Sequence, residues 1–69
     1  SGWSERVAAM RATYPNAFRP WPAADDTKLQ ALYHEGQGLT VLATTFGRHP
    51  GSIKARLEKH FGEGIEVPA

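Results

Sequence analysis

Leu39-Thr40-Val41-Leu42-Ala43-Thr44-Thr45-Phe46-Gly47-Arg48-His49-Pro50-Gly51-Ser52-Ile53-Lys54-Ala55-Arg56-Leu57 contains two helical patterns and a break between them. Val41, Leu42, Ala43 and Phe46 carry the apolar positions of a short helix, with Thr40 as its expected N-cap and Gly47 as its stop. So short a helix needs tertiary packing to persist. Pro50 suits the first turn of the next helix, where a missing N–H costs nothing. Ile53, Leu57 and Phe61 then recur at four-residue spacing and form one stripe, and Gly62 and Gly64 end the pattern. Only Gly47-Arg48-His49 separates the two helices, a length and a glycine content that suit a helix-turn-helix.

Upstream, the pattern predicts a longer helix over Ala23 to Glu35. Pro22 and the Asp25-Asp26 pair mark its start, Leu29, Leu32 and Tyr33 form its apolar face, and Gly36 is placed as a left-handed cap. Ala17-Phe18-Arg19-Pro20-Trp21-Pro22 precedes it. The prolines exclude a helix there, and Phe18 and Trp21 are expected to fold back onto the core. Trp3, Val7, Met10 and Tyr14 predict a further helix at the N-terminal end, with Ser4 as N-cap and a stripe expected to pack in the core. Trp21, Leu32, Phe46, Ile53 and Leu57 are expected to be mutually packed and largely buried.

The reading is an all-α domain of four helices, the last three forming the helix-turn-helix. Its organisation is expected to be Ser1-Gly2 as a cloning scar, 3–18 as helix and linker, 19–61 as the helix-turn-helix domain, and 62–69 as a flexible tail. With no initiator Met, the chain reads as a domain cut from a longer protein. A sequence of 69 residues allows one domain at most.

The charge is uneven. The formal net charge is +1, yet residues 48–60 hold Arg48, Lys54, Arg56 and Lys59 against Glu58 alone. A basic stripe on one element suits a polyanion. On a helical wheel with Ile53 toward the core, Gly51, Ala55 and Lys59 face outward and Ser52 lies at the edge. Lys54 and Arg56 flank the two sides. Small outward residues let a helix lie deep in a groove, where Ala55 can touch a thymine methyl. Arg48 and His49, just before the helix, are expected on phosphates. The candidate DNA-contact residues are therefore Arg48, His49, Gly51, Ser52, Lys54, Ala55, Arg56 and Lys59.

Other chemistries find little support. With no cysteine, disulfides, thiolate metal sites and cysteine nucleophiles are excluded. His34, His49 and His60 fall on separate elements, with no zinc-helix spacing. Asp25 and Asp26 are adjacent and point about 100° apart on a helix, so they cannot pair as acid and base. Gly36-Gln37-Gly38 lacks the remaining residues of a phosphate loop, and Thr44 and Thr45 have no neighbouring base. No enzyme activity, metal or cofactor is expected. No apolar run approaches the ~20 residues of a membrane span, and no signal peptide is read at the N-terminus.

The string Arg19-Pro20-Trp21-Pro22-Ala23-Ala24-Asp25-Asp26, followed by Leu29, Leu32, Tyr33 and Gly36, resembles the opening of a Myb/SANT-like repeat. The stretch from Leu39 to Leu57 is similar to its second half, in which Phe46-Gly47-Arg48 precedes the recognition helix. The resemblance covers about residues 19–61. Pro22 and His49 stand where the family often has Ser or Thr, and Phe46 and Leu57 replace its later tryptophans. This aliphatic version is more similar to bacterial or phage modules appended to larger proteins. The resemblance implies a homeodomain-like fold and double-stranded DNA as partner, in a bacterial cytoplasm or nucleoid or in a nucleus. SANT-like members also bind proteins, so a protein-interaction module is the alternative. Structured RNA shares the same charge logic.

Overall fold

In the computed structural model, which describes residues 2–69, every regular element is a helix: α1 Gly2–Thr13, α2 Ala23–His34, α3 Leu39–Phe46 and α4 Pro50–Phe61. Leu29 of α2, Leu42, Ala43 and Phe46 of α3, and Ile53 and Leu57 of α4 form one buried cluster. Trp21, Leu32, Tyr33 and Leu39 pack around it half-buried. Phe46, Ile53 and Leu57 thus lie where the pattern puts them, whereas Trp21 and Leu32 sit at the rim.

Each chain reversal has a local cause. At the end of α2, Gly36 adopts φ +85°. Its N–H reaches the Tyr33 carbonyl at 2.9 Å, and the Gln37 N–H reaches Leu32 at 3.1 Å. These two bonds make the Schellman closure that a left-handed glycine permits. At the end of α3, Gly47 has φ +63°, and a Cβ there would lie 3.1 Å from Asn16 Nδ2. Asn16 is close because it clamps this terminus, donating its side-chain amide to Phe46 O at 2.7 Å and its backbone N–H to Gly47 O at 2.8 Å. Carbonyls at a helix end need such partners.

Four expectations change. Ser4 does not cap α1, because that helix already begins at Gly2. Of the pair read as a cloning scar, Ser1 lies outside the described residues. The α1 stripe is not core: α1 has no buried residue, and Trp3 is 61% exposed. Its Trp3 ring meets the linker instead of the cluster, lying 5.3 Å from Phe18.

Thr40 is not the cap of α3. Gly38 takes that position without a side-chain bond. The free N–H groups of Leu39 and Thr40 are met by the carbonyls of Pro68 and Ala69, at 2.7 and 3.0 Å. The segment expected as a flexible tail therefore runs back across the domain, with Ile65 and Val67 against the core. Gly38 is needed there, since a Cβ would come within 2.9 Å of the Ala69 carbonyl carbon.

Candidate nucleic-acid interface

The candidate surface is built on the start of α4. His49 is its N-cap in extended geometry, and Pro50 follows in the first turn. His49 Nδ1 accepts from the Gly51 N–H at 2.8 Å. Histidine thus supplies the capping acceptor that Ser or Thr would otherwise provide. In the neutral ring this leaves Nε2 as the N–H donor. Tyr14 meets the imidazole edge-on at 5.3 Å. Gly51 fits this cap closely, because a Cβ would stand 3.1 Å from His49 Nδ1.

His49, Gly51, Ser52, Lys54, Ala55 and Lys59 are all exposed. The outward face of α4 does not stand clear of the domain, because the linker runs beside it. Met10, Ala17 and Phe18 form one wall of a hollow of about 330 Å³, and His49, Gly51, Ser52 and Ala55 form the other. A second, shallow hollow shares Ser52 and Ala55 and is also lined by Trp21, Arg56 and Lys59. No carboxylate lines either one. Phe18 does not fold back onto the core as expected. It is 52% exposed with φ +63°, a left-handed conformation that costs a bulky residue about 1–2 kcal/mol.

Two of the expected contact residues are committed elsewhere. Arg48 is 4% exposed. It donates Nη1 to the Arg19 carbonyl at 2.7 Å and Nη2 to the Pro20 carbonyl at 3.0 Å. Its guanidinium carbon lies 4.2 Å from the Trp21 ring centre, and its Nε has no partner. Burial lowers its pKa from the usual arginine value. In this arrangement Arg48 fixes the proline-rich linker against α3 and is not available to a phosphate.

Arg56 forms a two-pronged ion pair with Asp26 of α2, both bonds at 2.9 Å. His60 Nε2 shares the same carboxylate at 2.7 Å. The hydrogen bond from Arg56 is the largest influence holding the Asp26 pKa down, to about 2, with His60 adding to it, and Asp26 in turn raises that of Arg56. Asp26, expected as a helix-start charge, thus also ties α2 to α4. Lys54 and Lys59 remain as the exposed cations of α4.

Asn16, Phe18 and Trp21 border this surface, although the sequence pattern points to none of them as contact residues. Bulky rings in a proline-rich segment were the visible signal for two of them. Asn16 gave none, since its partners are backbone carbonyls thirty positions away. Among the described residues no group of three or more His, Cys, Asp or Glu could hold a metal ion, and no helix is long and apolar enough to cross a membrane. No family model, curated protein or solved structure matches this chain.

Proposed function

We propose that this chain is a double-stranded DNA-binding module of the Myb/SANT-like helix-turn-helix kind, with α4 as its recognition helix. The observation that carries the reading is the outward face of α4. Gly51, Ser52, Ala55 and Lys59 are exposed there, and both hollows along it lack carboxylates, while Lys54 is exposed on the other side of α4 beside residues 65–68. Small side chains permit close approach to base edges in a groove ~12 Å wide, and lysines supply the phosphate attraction. Lys59, with Ser52 and Ala55 beside it, reads bases. Lys54 and the His49 Nε2–H contact backbone.

The module serves as a targeting domain of a larger intracellular protein. Two lysines give a weak electrostatic footprint, so a second module or a second copy supplies useful affinity. The protein-interaction alternative draws on a different observation, the exposed rings of Trp3 and Phe18 beside α1. An amide NMR titration with a duplex separates the two. DNA binding by α4 shifts residues 47–60 and leaves 3–14 nearly unmoved. Shifts confined to 3–14 refute α4 as the recognition helix, and an absence of shifts anywhere favours a protein partner.

A further inference from the structure

We propose that the hollow between Phe18 and α4 takes an unpaired nucleobase, so that the module prefers duplex DNA with a single-stranded junction over an unbroken duplex. The inference rests on the DNA-binding reading and names the part of the ligand that this hollow recognises.

Shape is the first argument. A cavity of about 330 Å³ lies at the small end of the range of ligand sites. One wall is the Phe18 ring with Met10, and the facing wall is cut back to hydrogen and methyl at Gly51 and Ala55. An aromatic ring facing small residues leaves room for a flat ring beside Phe18. Phe18 gives it a stacking face, and the Met10 thioether gives it a polarisable neighbour. Ser52 places a hydroxyl on the same lining, the kind of group that pairs with a base edge.

Charge is the second argument. The adjoining hollow, which shares Ser52 and Ala55, is lined by Lys59 and Arg56. Arg56 is held by Asp26, so a base in the first hollow would have its flanking phosphate close to one free cation, Lys59.

The third argument is the exposure of the rings themselves. Trp3 and Phe18 are 61% and 52% exposed and meet at 5.3 Å with a 60° tilt. Each ring therefore keeps more than half of its residue's surface accessible to a stacking partner. An intact duplex keeps its base faces stacked and offers only edges in its grooves. Faces become available at junctions, gaps and bulges.

The experiment compares a labelled blunt duplex with the same duplex carrying a short single-stranded overhang, by fluorescence anisotropy. A 2-aminopurine at the first unpaired position reports stacking. The junction is expected to bind roughly five- to a hundredfold tighter, the range one base–aromatic stack supplies, with the 2-aminopurine emission quenched. Phe18→Gly adopts the left-handed backbone freely and is expected to remain folded. It should abolish both the preference and the quenching while leaving blunt-duplex affinity unchanged. Phe18→Leu keeps apolar bulk without a ring face and should give the same result. Equal wild-type affinity for both DNAs overturns the inference and leaves duplex binding standing. A preference that survives both Phe18 variants also overturns it, because the base then sits elsewhere. No binding to either DNA overturns the inference together with the reading beneath it.

Discussion

Arg48→Met separates a structural arginine from a phosphate-binding one. In the native chain Arg48 donates to the carbonyls of Arg19 and Pro20 at 2.7 and 3.0 Å and lies 4.2 Å from the Trp21 ring centre. Methionine retains the apolar stem but donates nothing. Hydrogen bonds from a charged donor contribute about 1.5–3 kcal/mol each, and the ring contact about 1 kcal/mol. Two effects oppose this loss. The substitution removes a buried cation that has no carboxylate partner and an Nε that has no acceptor. The abandoned carbonyls belong to exposed residues and regain water. A net loss of about 1–3 kcal/mol remains, which at about 4–8 °C per kcal/mol lowers the melting temperature by roughly 5–20 °C. Arg48→Lys should fall in between, since an ammonium lacks the planar fork that spans two carbonyls. Circular dichroism melts give the stability, and duplex titrations below the melting point give the affinity. The expected result is a large shift in melting with affinity held within about twofold. If Arg48→Met melts with the native chain and loses its duplex affinity, Arg48 is a phosphate contact and the linker is held by other means.

Leu57→Ala removes a fully buried side chain and should cost about 2–5 kcal/mol, a large share of the ~3–10 kcal/mol available to a domain this size. An unchanged denaturant midpoint would show that α4 is packed differently. Asp26 has its pKa lowered from 3.8 to about 2, so its stabilisation is fully present above pH ~4 and is lost as pH falls toward about 2. The melting-temperature gap between native chain and Asp26→Asn should close over that window, and a gap that stays constant would refute the assignment. With Lys54 and Lys59 as the free cations of α4, log affinity against log salt should slope at about −1.8. A slope near −3.6 would show that Arg48 and Arg56 leave their partners on binding.

The three inner helices were legible because period and punctuation agree there. Leu29, Ile53 and Leu57 keep helical spacing, and Gly36 and Gly47 stand where left-handed backbone is needed. The ends of the chain were less legible for a shared reason. A helical stripe such as Trp3, Val7, Met10 and Tyr14 says that one face is apolar, and nothing in its period says whether that face meets a core. The segment 62–69 offers only the alternation of Ile65 and Val67, too short to predict an element, yet it docks, with its last carbonyls meeting the N–H groups of α3 that Thr40 does not cap. That need arises on another element and cannot be read from the tail itself.

The same reasoning limits how far charge can be read. Arg48, Lys54, Arg56 and Lys59 look equivalent along the chain, and the fold divides them by what lies opposite. Asp26 takes Arg56, and the carbonyls of a linker straightened by prolines take Arg48. Arginine suits both duties, because its fork satisfies two acceptors at once. The lysines are left at the surface, where a strongly hydrated point charge belongs. The basic excess of this segment is therefore partly internal wiring, and two exposed lysines hold a polyanion only weakly. Any selectivity of the module must then come chiefly from the shape of the α4 face. On the proposed reading, its small residues and flanking rings would discriminate by close contact, a contribution that salt leaves largely untouched.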